Sequence, residues 1–169
     1  MKETVAETIA VLFFVTTVAV GPDWAEPPPR DHDITVEDYN SLANVIAVAV
    51  SPDGRTVAYT EQRWNPEADG RETDLWTVDT TSGETRRLTF DRATESSPTW
   101  SADGRFIYYR AGVSRGGEES PPLDGSPQVW RMTPGGGQPQ AVTRVTEGIQ
   151  AFHLSTDGKK LLFSTSAKH

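Results

Sequence analysis

The sequence contains no cysteine, which excludes disulfides, thiolate catalysis and cysteine-ligated metal sites. It is also short of basic charge: 16 lysines and arginines stand against 24 aspartates and glutamates, a formal charge of -8. Such a chain repels phosphate backbones and anionic lipid heads, so nucleic acid is not expected as a partner. Apolar residues make up only 36% of the chain, yet five Trp, six Phe and four Tyr provide large groups to pack. At 169 residues it has about the length of one domain.

No apolar run is long enough to span a bilayer. The longest, "IAVLFFVTTVAV" from Ile9 to Val20, follows Lys2 and suits the core of a signal peptide, a buried element of the fold being the alternative. Residues 1–25 are read as that signal peptide and residues 26–33, "EPPPRDHD", as a proline-rich linker. The expected product is periplasmic or extracellular, with no stable membrane span after signal cleavage. Its domain occupies residues 34–169.

Within that domain the chain repeats itself. Ser51-Pro52-Asp53-Gly54-Arg55, Ser101-Ala102-Asp103-Gly104-Arg105 and Ser155-Thr156-Asp157-Gly158-Lys159 each precede a run of β-formers, and their starts lie 50 and 54 residues apart. The material between them repeats at the second offset: Leu75-Trp76-Thr77-Val78 with Val129-Trp130-Arg131-Met132, Ser82-Gly83 with Gly136-Gly137, and Leu88-Thr89 with Val142-Thr143. In S-x-D-G the glycine supplies the positive φ of a tight hairpin, and the Ser and Asp oxygens accept from turn amides.

Four short antiparallel strands in about 50 residues make the blade of a β-propeller. The fold class is therefore all-β, a propeller of four-stranded antiparallel blades. Blade one is expected over residues 46–89, blade two over 98–143, and half of blade three over 150–165. The expected strands are Ile46–Val50, Thr56–Thr60, Asp74–Asp79 and Thr85–Thr89, then Pro98–Trp100, Phe106–Arg110, Gln128–Met132 and Gln140–Thr143, then Gln150–Leu154 and Lys160–Thr165. Phe106 to Tyr109 are consecutive apolar residues, as a sheet covered on both faces requires. About two and a half blades do not close a ring, so the reading expects a piece of a longer protein.

The segments "ITVEDYNSLANVIAVAVSPDGRTVAYT", "DLWTVDTTSGETRRLTFDRATESSPTWSADGRFIYY", "QVWRMTPGGGQPQAVT" and "FHLSTDGKKLLFST" resemble the N-terminal propeller of the prolyl oligopeptidase family of serine peptidases, in its dipeptidyl-peptidase and acylaminoacyl-peptidase branches. The resemblance covers residues 34–165. Its S-x-D-G repeat is shared with TolB-like propellers. It implies a propeller gating peptide access to a C-terminal α/β-hydrolase domain absent from this chain, with peptide substrates reached through the full-length enzyme. The alternative is a non-enzymatic TolB-like periplasmic propeller acting as a protein-binding scaffold.

Several residues imitate chemistry without its context. Gly112-Val113-Ser114-Arg115-Gly116 spells the G-x-S-x-G of a nucleophile elbow, which needs a strand before the serine and a helix after it. Here Gly116, Gly117 and then Pro121-Pro122 follow, so no helix is expected. Asp124, Asp157, His153 and His169 can be ordered as triad partners, but Asp157 belongs to a repeat turn and His153 to a strand. Glu118-Glu119 resembles the acidic pair with which dipeptidyl-peptidase relatives hold a substrate amine, but lacks aromatic neighbours and reads as a solvated loop. Asp53 and Asp103 are turn formers, Trp76 and Trp130 are packing residues, and Gly135-Gly136-Gly137 is a hairpin turn rather than a phosphate loop. With His32, His153 and His169 in no ligand spacing, the sequence assigns no catalytic residue, no metal and no cofactor.

Overall fold

The S-x-D-G turns close three hairpins in the same way. In a computed structural model describing residues 32–166, β1 (Asn44–Val50) turns into β2 (Thr56–Asn65) with Gly54 at φ 72°. The Ser51 hydroxyl donates to Asp53 Oδ1 at 2.6 Å and accepts from the Thr56 amide at 2.9 Å, while Asp53 Oδ1 also accepts from the Arg55 amide at 3.1 Å. Ser101, Asp103 and Phe106 repeat these contacts, as do Ser155, Asp157 and Lys160. Donated hydrogen bonds favour the ionised acid, so Asp53, Asp103 and Asp157 are all held below the usual carboxylate range by their serines first and the following amides second. The signal-peptide reading, most of the linker and His169 lie outside the described residues.

Blade one is a four-stranded antiparallel sheet of β1, β2, β3 (Gly70–Asp79) and β4 (Thr85–Arg87) in that order. Blade two repeats it with β5 (Ser96–Trp100), β6 (Ile107–Ala111), β7 (Gln128–Met132) and β8 (Gln140–Ala141). A third hairpin pairs β9 (Ala151–Leu154) with β10 (Leu161–Ser164). Ahead of β1, α1 (Val36–Ser41) begins with a capping box: the Asp38 amide donates to Thr35 Oγ1 and the Thr35 amide to Asp38 Oδ2.

β2 and β3 are ten residues each, longer than the five and six read from the sequence. The extension contains Glu61, Gln62, Arg63, Arg71 and Glu72, polar residues that read as loop when considered one strand at a time. Paired, most of them find complementary groups: Arg63 lies opposite Glu72, and Asn65 Nδ2 donates to Glu72 at 2.8 Å; Glu61 lies opposite the like-charged Asp74 and is paired instead along its own strand, with Arg63 Nε at 2.5 Å.

Blades stack through their faces. Ala58 and Leu75 of blade one meet Ile107, Tyr109, Ala111, Trp130 and Met132 of blade two in the main core, all buried. A second cluster of Val129, Ile149 and Phe152 joins blade two to the third hairpin. Between the inner strands, Trp100 Nε1 donates to the Ala49 carbonyl at 2.9 Å. The Tyr–Trp pair of β2 and β3, Tyr59 opposite Trp76, is only half-buried, whereas its repeat in blade two, Tyr109 opposite Trp130, is buried under blade one. At the two ends of the stack apolar side chains stand in solvent: Val45, Ile46, Val48 and Val50 on β1, and Leu162 and Phe163 on β10.

Two outcomes follow. Leu75→Ala removes a fully buried side chain from the face shared by the blades and is expected to cost about 2–5 kcal/mol, read by denaturant unfolding. An aspartate whose folded pKa is depressed stabilises above its unfolded value and loses that stabilisation as pH falls. The Asp53→Asn, Asp103→Asn, Asp157→Asn chain should therefore lose less stability than the parent between about pH 5 and pH 2. Equal acid sensitivity in both would contradict the role given to the turns.

Candidate functional site

The first site to test is Ser114. It lies after β6 in an antiparallel bridge opposite Asp124, exposed, and is followed by a turn rather than a helix. Gly112 has a packing reason of its own: a Cβ there would stand 2.6 Å from the Gly125 carbonyl oxygen. Asp124 is turned to its own loop, accepting from the Ser126 amide at 2.9 Å and the Ser126 hydroxyl at 2.5 Å. His153 lies on β9 and Asp157 in the third S-x-D-G turn, so the imitation triad is dispersed over separate elements. Glu118 and Glu119 are exposed in the same loop as Ser114. Among the described residues, no group of three or more His, Asp or Glu is placed to hold a metal ion.

The polar cluster that does form lies in the seam between blades one and two. Arg87 of β4 reaches across to Asp74 of β3, Nη2 to Oδ1 at 2.8 Å, and its Nε donates to the Thr89 carbonyl at 2.9 Å. The Thr89 hydroxyl accepts from the Leu75 amide at 2.9 Å. Glu95, one residue before β5, donates its amide to the Thr73 carbonyl, which bridges the blades, and buries its side chain to 2% exposure. Its Oε2 has no hydrogen-bond partner among the described residues.

The repeat supplies an internal control. In the seam between blade two and the third hairpin, the Val129 amide donates to the Thr143 hydroxyl and the Ile149 amide to the Pro127 carbonyl, the same two contacts 54 residues on. There Gln128 stands in place of Asp74 and Ile149 in place of Glu95. Gln128 is fully satisfied: its amide donates to the Ser126 hydroxyl and the Val145 carbonyl, and its oxygen accepts from Thr143 and the Val145 amide. That seam is crossed by a guanidinium, Arg110 donating to the Gln150 carbonyl at 2.7 Å, but it holds no acid at these positions, so the blade contact does not require one; the other holds two carboxyl groups beside Arg87.

Burial, followed by the neighbouring Asp74 and then Asp91, pushes Glu95 up to about 8. Asp74 is also raised, by burial, despite Arg87 beside it. Burial and the same Glu95 and Asp91 raise the Tyr109 hydroxyl. The sequence reading missed Glu95 because "ATESSPTW" looks like a polar loop; comparison of its position with Ile149 was the available signal.

Above this seam a groove of about 630 Å³ opens beside the edge strands β4 and β8. Leu88, Val113, Leu123 and Trp130 give it an apolar floor, and Arg86, Arg87, Arg115 and Arg144 line it, with Asp91 the one acidic side chain among its lining residues.

A glutamate raised in the folded state stabilises only while protonated, so that contribution is present below pH about 4 and is lost as pH rises toward about 8. Each tenfold change in proton affinity is worth about 1.4 kcal/mol. Glu95→Gln is therefore expected to flatten the fall in stability between pH 5 and 8 by about a few kcal/mol, read by thermal or urea unfolding at several pH values. Parallel curves for the two proteins would contradict the buried position of the acid.

The comparisons agree with this architecture. No family model matches the sequence. The peptidase YuxL of Bacillus subtilis is 26% identical over 133 residues, 79% of this chain and 19% of that protein. Dipeptidyl-peptidase 5 of Porphyromonas endodontalis is 26% identical over 172 residues, 99% of this chain and 23% of that protein. The chain thus spans about a fifth of the length of these curated relatives. Among solved structures, a TolB of Agrobacterium tumefaciens is 26% identical, covering 70% of this chain and 38% of its own with a TM-score of 0.52. The acylaminoacyl peptidase of Pyrococcus horikoshii (17% identical, 74% of this chain, 17% of that chain, TM-score 0.55) and the propeller domain of the Trilobed protease from Pyrococcus furiosus (17%, 72%, 33%, 0.52) share the fold. The chain is a run of β-propeller blades, its sequence relatives include dipeptidyl-peptidase 5, and its structural neighbours include propellers of prolyl oligopeptidase-family enzymes and of TolB.

Proposed function

We propose that this chain is the N-terminal propeller portion of an exported serine peptidase of the prolyl oligopeptidase family. In this reading it restricts access of peptides to an α/β-hydrolase domain carried elsewhere in the full-length enzyme. The observation that carries it is the alignment of nearly the whole chain with dipeptidyl-peptidase 5, a protein more than four times as long. Export is inferred from the apolar run Ile9 to Val20 near the N-terminus. In this reading the blades supply a wall: among the described residues Ser114 is bridged to Asp124 and is followed by a turn rather than a helix.

The likeness to TolB at 26% identity supports a second reading, a non-enzymatic periplasmic propeller that acts as a protein-binding scaffold. One experiment separates the two. An antibody raised against residues 34–166 captures the native polypeptide from the source cells, which is then treated with a fluorophosphonate probe for reactive serines. The peptidase reading expects a labelled species well above 18.5 kDa; a captured polypeptide that takes no label supports the scaffold. In the labelled species Ser114→Ala is expected to leave both labelling and peptide turnover unchanged. A loss of several orders of magnitude in an otherwise folded variant would return Ser114 to the active site.

A further inference from the structure

The groove above the first seam has a composition unlike the rest of the chain. Four of its lining side chains are arginines, in a protein that carries 16 basic and 24 acidic residues overall. Two are already engaged: Arg87 with Asp74, and Arg86 with the Gly135 carbonyl at 3.1 Å and, loosely, Glu84 at 3.8 Å. Arg115 and Arg144 have no carboxylate partner among the described residues, although acids outnumber bases and Glu118 and Glu119 follow Arg115 closely.

Both arginines are held by built backbone. Arg115 sits in the loop that imitates a nucleophile elbow, where its amide donates to the Leu123 carbonyl at 2.9 Å and the Gly125 amide donates to the Val113 carbonyl at 3.1 Å. That short ladder, with Ser114 opposite Asp124, fixes where the Arg115 backbone lies. Arg144 follows Thr143, which is tied to the Val129 amide and to Gln128. Leu88, Val113 and Trp130, largely buried, line the same groove and offer an apolar surface.

We propose that this groove binds an acidic peptide segment, its carboxylates paired with Arg115 and Arg144 and a neighbouring apolar side chain seated on Leu88, Val113 and Trp130. Guanidinium groups recognise carboxylates by charge-assisted, often bidentate hydrogen bonds. A volume of about 630 Å³ with an apolar floor exceeds the needs of a lone inorganic anion. A nucleic acid would extend its phosphates beyond the groove onto a chain whose overall formal charge is -8. The inference goes beyond the proposed function, because it concerns the outer side of two complete blades and holds for a peptidase propeller and for a scaffold alike.

The test measures anisotropy of two fluorescein-labelled octapeptides, one alternating glutamate with leucine and phenylalanine and one with lysine in place of each glutamate, titrated with the full chain. The acidic peptide is expected to bind about tenfold or more tightly than the basic one, and to weaken as salt is raised. The double substitution Arg115→Ala, Arg144→Ala should weaken it by about tenfold. The control Arg55→Ala, Lys159→Ala removes the same charge from turns outside the groove and should change affinity by less than about twofold. All four side chains are exposed, and circular dichroism verifies that the fold is kept. Equal binding of the two peptides, an equal loss in the control, absence of binding up to about millimolar chain, or displacement by inorganic phosphate as readily as by unlabelled acidic peptide would each overturn the proposal.

Discussion

The constraint on which the structure depends is the burial of one blade's face by the next. A four-stranded sheet this small has little interior of its own, and its apolar residues fall on both faces, so each sheet needs a neighbour to remove them from water. Where that neighbour is present, between blades one and two, Leu75, Ile107 and Tyr109 are almost completely buried. Where it is absent, the same strand positions are half-covered, as Tyr59 and Trp76 are beside buried Tyr109 and Trp130. Sequence periodicity and packing thus describe one fact: the repeat is a unit of stacking rather than of independent folding.

Around that contact the backbone groups are satisfied by a rule that both seams obey. A threonine two residues past the fourth strand accepts from an amide of the third, through Thr89 to Leu75 and through Thr143 to Val129. The amide just before the next blade bonds back across the seam, from Glu95 to Thr73 and from Ile149 to Pro127. Against so regular a frame a local departure is informative. Replacement of the Gln128 and Ile149 pair by Asp74 and Glu95 places two acids where the fold asks for none, and a buried carboxylate with an unpartnered oxygen works against stability. Arg87 offsets part of that cost at Asp74 and at the same time forms one wall of the groove.

The turns and the blades were legible in the sequence because their causes are local. Ser, Asp and Gly at fixed spacing build the same hydrogen-bonded hairpin wherever they occur, and Leu-Trp-Thr-Val or Val-Trp-Arg-Met is a strand from its side chains alone. Less was legible where the cause lies in a partner strand. The outer halves of β2 and β3 are rich in charge and become strand only by pairing with one another, Arg63 opposite Glu72 and Trp64 opposite Arg71. α1 escaped notice because it is only six residues long and is set by a capping box of Thr35 and Asp38.

By itself, then, the sequence determined the repeat, the turn chemistry and the all-β class, since each follows from residue type and short-range spacing. Tertiary structure alone decided which polar residues are buried. Glu95 and Ile149 occupy one repeat position, yet only the seam reveals that the glutamate has lost its water. It also decided the meaning of the G-x-S-x-G loop: Gly112 is there for the approach of the Gly125 carbonyl, Ser114 for a bridge to Asp124, and Arg115 faces a groove made by a neighbouring blade. The physical reason is one of range: hydrogen bonds within a turn are set by neighbours in sequence, whereas solvation and electrostatic environment are set by whatever the fold places opposite.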